Sequence, residues 1–153
     1  MNGNFTVCCA KEEDLSAWIL LVKELRENFP GLDMADYTKT LQKNISRETA
    51  LCAKTQEGVI AGILLFSPRL KTLSCMAVHP ACRRRGIGRA LILKMLERMP
   101  PGDVSVTTFR EGDPMGEAPR ALYRSLGFLP GELETEFDYP VQRFVLHRGP
   151  RDT

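Results

Sequence analysis

RRRGIGRAL, residues Arg83–Leu91, places four arginines and two glycines at the head of an apolar helical pattern. Adjacent arginines repel one another, and each glycine in a helical turn costs roughly 0.5–1 kcal/mol relative to alanine. A ligand is what would offset that. Glycines between a strand and a helix let backbone N–H groups approach a guest closely, and a helix's first turn carries unpaired donors and a partial positive charge. The dipole contributes about 0.3–1 kcal/mol, whereas each hydrogen bond to a charged group contributes about 1.5–3 kcal/mol. Converging N–H groups therefore dominate, and a pyrophosphate is the natural guest. Its owner is not a P-loop nucleotide, since G-x-x-x-x-G-K-[ST] is absent. A dinucleotide fingerprint fits poorly too: Gly86-Ile87-Gly88-Arg89-Ala90-Leu91 puts leucine in the third glycine slot, and HPACRRR separates it from the strand.

Working outward, TLSCMAVHP (Thr72–Pro80) reads as the preceding strand, closed by a proline that cannot donate to a ladder. A helix over Ile87–Met99 follows, with Ile87, Leu91, Met95 and Met99 four apart, and Pro100-Pro101-Gly102 ends it. Upstream, Asn4–Ala10 alternates as a strand. Lys11–Phe29 then carries Leu15, Trp18, Ile19, Val22, Leu25 and Phe29 at helical spacing up to Pro30-Gly31. A second helix is expected over Asp33–Ile45, then strands Thr49–Thr55 and Val59–Phe66 joined by Gln56-Glu57-Gly58. Downstream come a strand at Asp103–Phe109, a helix at Ala118–Leu126 starting near Pro119 and capped by Gly127, and a final strand pair. The order β-α-α-β-β-β-α-β-α-β-β implies an α/β (α+β) fold, with a mixed central sheet flanked by helices. No repeat or linker interrupts it, so residues 1–153 read as a single domain.

Composition agrees with a soluble globular protein: 43% hydrophobic and 26% charged. The longest apolar run, Val59–Phe66, is far shorter than the ~20 residues of a membrane span, and no signal peptide is visible. A cytoplasmic location without membrane association is expected. Net charge is only +2, but it is unevenly distributed, with Glu132, Glu134, Glu136 and Asp138 close together in GELETEFD (Gly131–Asp138). Nucleic-acid binding is disfavoured, because no further basic residues or stacking aromatics accompany the arginines. The five cysteines (Cys8, Cys9, Cys52, Cys75, Cys82) form no C-x-x-C pair, so they read as reduced structural residues without metal. A nucleophilic Cys75 or Cys82 is the alternative.

Ala77-Val78-His79-Pro80 followed by Arg83-Arg84-Arg85-Gly86-Ile87-Gly88 closely resembles the acyl-CoA signature (Q/R)-x-x-G-x-(G/A) of the GNAT superfamily of N-acetyltransferases. Leu122-Tyr123-Arg124-Ser125-Leu126-Gly127-Phe128 is similar to that family's second hallmark, L-Y-x-x-x-G-F. Spacing and element order match over almost the whole chain. The resemblance implies the GNAT acyl-CoA N-acyltransferase fold, with acetyl-CoA as co-substrate, no metal, and direct attack of a primary amine on the thioester. It also implies that Met76, Ala77 and Val78 border the pantetheine arm. The backbone of Met76 and Val78 would pair with that arm, and the Val78 N–H would meet the acetyl oxygen. Arg83 would also contact the cofactor, the backbone N–H groups of Arg84, Arg85, Gly86, Ile87, Gly88 and Arg89 would hold the pyrophosphate, and Tyr123 would protonate the leaving thiolate.

The base stays open among Glu111, Asp113, Glu117, His79 and a water chain. Gly116 stands where many relatives carry a cofactor-contacting asparagine. Substrate selection is expected from the Phe29–Tyr37 connection and from Glu132, Glu134 and Glu136 in an acidic loop, which would suit a small cationic amine. A solvated hairpin is the equal alternative for that loop. The remaining competitor is a catalytically silent CoA-binding regulatory module, and the chain is expected to be a monomer or a homodimer.

Overall fold

Alternating apolar residues become the two buried faces of one seven-stranded sheet. A computed structural model describes residues 4–149. Its strands are β1 (Phe5–Cys9), β2 (Ala50–Thr55), β3 (Ile60–Ser67), β4 (Thr72–Val78), β5 (Val104–Phe109), β6 (Leu129–Glu136) and β7 (Tyr139–Leu146). They lie in the order β1-β2-β3-β4-β5-β7-β6. Every neighbouring pair is antiparallel except β4 with β5. Helices α1 (Leu15–Glu24) and α2 (Met34–Ser46) bury Trp18, Val22, Tyr37 and Leu41 against Cys52, Ile63 and Leu65. On the other face, α3 (Ile87–Arg98) and α4 (Glu117–Ser125) pack with Leu51, Leu64, Phe66 and Phe144. Covered on both sides, β3 needs a continuous apolar run rather than an alternating one. IAGILLF supplies it.

Glycine lets α3 approach this strand. A Cβ on Gly62 would lie 2.7 Å from Ile87 Cγ2 and 3.1 Å from Leu91 Cδ1, both atoms of buried side chains. Gly62→Ala is therefore expected to lower stability by about 1–3 kcal/mol through overpacking. A chemical-denaturation midpoint checks this; an unchanged midpoint would mean that α3 yields without strain.

Three sequence expectations need correction. The first helix is shorter than Lys11–Phe29: 3-10 turns at Glu12–Asp14 and Arg26–Asn28 flank α1, because the chain leaves helical dihedrals at Leu25 (φ −106°, ψ 31°). Helix α4 begins at Glu117, so Pro119 is its third residue, still within the turn whose amides need no partner. The acidic segment is not a loop. Up to Glu136 it belongs to β6, leaving Phe137-Asp138 as the two-residue turn to β7.

The C-terminus of α4 closes as the L-Y-x-x-x-G-F motif suggests. Gly127 takes φ +96°, its N–H donates to Arg124 O at 3.0 Å, and the Phe128 N–H donates to Tyr123 O at 3.0 Å. That is a Schellman cap, completed by the Tyr123 and Phe128 rings 5.6 Å apart. The cap anchors Tyr123.

Candidate active site

The central strands part company halfway along. Strands β4 and β5 pair only at Thr72↔Ser105 and Leu73↔Val106. Opposite β3, Leu65 pairs with Cys75 and Phe66 with Leu73, so Ser74 is an extra residue in β4. Such a bulge bends its strand. Past it lies a cleft of about 900 Å³, walled by Ser74–Val78 on one side and Thr107–Phe109 on the other.

Register decides which backbone groups face this cleft. The His79 N–H donates to Ala61 O at 2.8 Å, and the pairing continues through Gly62↔Val78, Ile63↔Ala77 and Leu64↔Met76. Bonded and non-bonded pairs alternate along an antiparallel ladder. Ala77 is thus engaged by β3, while the N–H and C=O groups of Met76 and Val78 turn toward the gap. The Arg83 Nε donates to Val78 O at 3.4 Å from that side.

At the mouth, Arg84 (φ +66°) and Gly86 (φ +78°) both adopt left-handed conformations. Among the described residues, no acceptor meets the amides from Arg84 to Arg89; the first helical bond is Ala90 N–H to Gly86 O at 3.0 Å. These are converging, unpaired donors. A Cβ on Gly86 would meet no protein atom within 4 Å, so this glycine serves backbone conformation and open space. Gly88 serves packing, since a Cβ there would lie 2.9 Å from Leu122 Cδ2. Met76, Ala77, Val78, Arg83, Arg84, Gly86, Ile87, Gly88 and Arg89 all border the cleft, whereas Arg85 does not. This donor set fits a diphosphate joined to an extended arm.

Tyr123 also lines the cleft and is only 4% exposed, beside Phe128 and Phe144. Among the described residues its hydroxyl has no hydrogen-bond partner. Burial, helped by the nearby Cys75, pushes the phenol above its usual range, so it holds its proton. Cys75 faces the same cleft, and burial pushes its thiol up to about 11 despite the Tyr37 hydroxyl 3.4 Å away. Tyr37 in turn accepts the Trp18 indole N–H at 2.8 Å. At neutral pH Cys75 is a thiol, a poor nucleophile.

None of Glu111, Asp113, Glu117 and His79 borders the cleft. The His79 Nδ1 accepts the Ala81 N–H at 3.0 Å, and Asp113 accepts the Tyr139 hydroxyl at 2.7 Å. Gly116 is packed too closely for a side chain: a Cβ there would lie 2.9 Å from Phe109 Cβ. Among the described carboxylates, Asp33, Asp36 and Glu136 line the cleft. Asp33 caps α2 by accepting from the Ala35 and Asp36 amides. Glu136 accepts the Thr107 hydroxyl at 2.7 Å.

The three glutamates of the acidic segment do not act as one group. The Arg143 guanidinium grips Glu134 through both carboxylate oxygens and holds it below the usual carboxylate range, and Glu132 lies outside the cleft. Sequence reading missed Thr107, whose strand pattern carries no local signal. Asp36 it reached only as part of the Phe29–Tyr37 connection. Among the described residues, no group of three or more His, Cys, Asp or Glu side chains is placed to hold a metal, and no helix is long and apolar enough to cross a membrane.

A sheet opened between a bulged strand and its parallel neighbour, with a helix N-terminus of free amides at its mouth, is the arrangement that the acyl-CoA signature in the sequence implies. Residues 46–130 match the acetyltransferase (GNAT) domain family, and the chain belongs to that family: it is an acetyl-CoA-dependent N-acetyltransferase. Solved structures agree on the fold. An acetyltransferase of the GNAT family from Bacillus cereus ATCC 10987 has a TM-score of 0.75 at 20% identity, covering 97% of this chain and 99% of that one. The ribosomal-protein-S18-alanine N-acetyltransferase of Escherichia coli has a TM-score of 0.71 at 21% identity, covering 97% of each. An agmatine N-acetyltransferase has a TM-score of 0.71 at 14% identity, covering 94% of this chain and 100% of that one. No curated protein matches by sequence.

Proposed function

We propose that the chain, acting as one catalytic domain, transfers acetyl to the primary amine of a small cationic molecule. Acetyl-CoA supplies the activated acetyl group. The free amides between Arg84 and Arg89 hold its diphosphate, and the cleft-facing backbone of Met76 and Val78 aligns its arm. The Val78 N–H donates to the acetyl oxygen, where negative charge develops; one such donor is worth about 2.7–4 kcal/mol. Tyr123 Oη gives its proton to the departing sulfur, and the proton lost by the acylated nitrogen, relayed through water, restores the phenol.

The observation that carries the acceptor class is that, besides the helix cap Asp33, the carboxylates Asp36 of α2 and Glu136 at the end of β6 line the cleft, both of them exposed. An attacking amine must be neutral, so a carboxylate that selects for positive charge meets a second cationic centre on the acceptor. The agmatine N-acetyltransferase of similar fold supports this reading, while the S18-alanine enzyme shows that the fold also suits a protein acceptor by name.

The test is release of free CoA thiol from acetyl-CoA across a panel of mono- and diamines. Diamines should react with the lower KM; a preference for neutral or acidic acceptors would overturn the acceptor class. Glu136 is exposed, and such a charge contributes modestly. Glu136→Gln is accordingly expected to raise KM for a diamine by up to about fivefold. KM for acetyl-CoA should stay unchanged, and added salt should mimic the variant.

A further inference from the structure

Two thiols meet at the edge of the sheet, outside the cleft. Strand β1 is an edge strand, and its Cys8 lies directly opposite Cys52 of β2. The Ala10 N–H donates to Ala50 O at 2.8 Å, so Ala10 and Ala50 form a hydrogen-bonded pair. Two residues along the ladder, Cys8 and Cys52 form another. The Cα atoms of such a pair stand about 5.5 Å apart, inside the roughly 4.4–6.8 Å that a disulfide spans. The sulfurs are already 3.9 Å apart.

The pleat isolates this pair from the other cysteines. Cys9 packs on the opposite face, where its sulfur meets Arg98 Nη1 at 2.6 Å and Glu48 O at 3.9 Å. Cys75 belongs to β4, beyond β3, and Cys82 closes the turn after it. Access differs between the two partners. Cys52 is buried, whereas Cys8 is half-buried on the edge strand, so a dissolved reagent meets Cys8 first. Burial, and Cys8 beside it, push the Cys52 thiol above its usual range. Lys54, two residues from Cys52 and on the same face of β2, is ion-paired with the buried Asp14 at 2.8 Å. The Asp14 bond holds its ammonium above the usual range, and the two sulfurs add to that. A cation so placed offsets negative charge on a reacting sulfur.

We propose that Cys8 and Cys52 are a reversible dithiol–disulfide site, whose reagent is a small disulfide such as oxidised glutathione and whose bond fastens edge strand β1 to β2. The site stands independently of the transfer reading. Cys8 sulfur attacks one sulfur of the reagent, whose S–S bond breaks, and the first glutathione leaves with the Cys8 proton. Cys52 sulfur then attacks the Cys8 sulfur of the mixed disulfide, and the second glutathione leaves with the Cys52 proton. The protein dithiol loses two electrons and one oxidised glutathione becomes two reduced ones. Excess reduced glutathione runs the exchange backwards. Closing the chain between residues 8 and 52 restricts the unfolded state, so the linked form is the more stable.

The test holds the folded full chain with oxidised glutathione at neutral pH, alkylates the remaining thiols and weighs the unreduced peptides. The expected product is a Cys8–Cys52 linked pair that excess reduced glutathione opens, with a higher melting temperature in the linked chain than in the reduced one. In Cys52→Ala, Cys8 should instead keep a glutathione as a stable mixed disulfide. A Cys8–Cys9 linkage, glutathione retained on wild-type Cys8, or two free thiols in the wild type overturns the site, whether or not the variant folds. A linked chain that melts no higher than the reduced one overturns the fastening.

Discussion

Gly86→Val is expected to weaken acetyl-CoA binding by at least a hundredfold while leaving a folded protein. Two effects combine. Gly86 sits at φ +78°, a region that a β-branched residue scarcely enters, so the loop must refold around valine. Its added side chain would then project into the open space beside the free amides, where a phosphate needs to lie. Losing two hydrogen bonds to a charged group, at about 1.5–3 kcal/mol each, accounts for a hundredfold or more. The fold survives because a Cβ there meets no protein atom and the strain, about 1–2 kcal/mol, is a fraction of a domain's stability. Calorimetric titration beside a thermal melt separates the two readouts. Normal affinity in a folded variant would remove this loop from the anion site.

Tyr123→Phe is expected to lower kcat by about 10²–10³ with little change in acetyl-CoA affinity. The ring contacts with Phe128 and Phe144 persist in phenylalanine, and among the described residues no hydrogen bond of the hydroxyl is lost. Stability should therefore hold while the proton donor disappears. The pH profile gives an independent check. Burial raises the Tyr123 pKa above its usual range, so its proton is present below that raised value and is lost only as pH climbs through it. Between pH 7 and 10, kcat should show no decline traceable to this group. A variant as fast as wild type would leave Tyr123 as a packing residue only.

The sequence and the structure agree best where the signal is short-range. All seven strands and the four principal helices lie where periodicity and glycine-proline punctuation place them, apart from the helix ends and the acidic segment. Helix ends shift because a single residue such as Leu25 can leave helical dihedrals without disturbing the apolar stripe. Read as a loop, GELETEFD joins β6 because its backbone finds β7, a choice made by partners beyond its own charges.

The loop of free amides was legible for a local reason. Backbone conformation at Arg84–Arg89 depends on glycine content and on the start of a helix, both of which nine residues contain. Pairing across the sheet lies beyond that range. Pairing of β4 with β5 stops where Ser74 falls out of register with β3, and no property of serine announces it. Likewise, Glu134 and Glu136 carry the same charge two positions apart. One is gripped by Arg143 and the other reaches Thr107 in the cleft, because the partners arrive from different strands. Sequence alone determined the order of elements, the alternation of the sheet and the loop of free amides, since each follows from interactions between near neighbours. Tertiary structure alone decided where the sheet opens, which carboxylates face the opening, and that the Cys8 thiol meets that of Cys52, since those contacts depend on register and on packing between residues far apart in the chain.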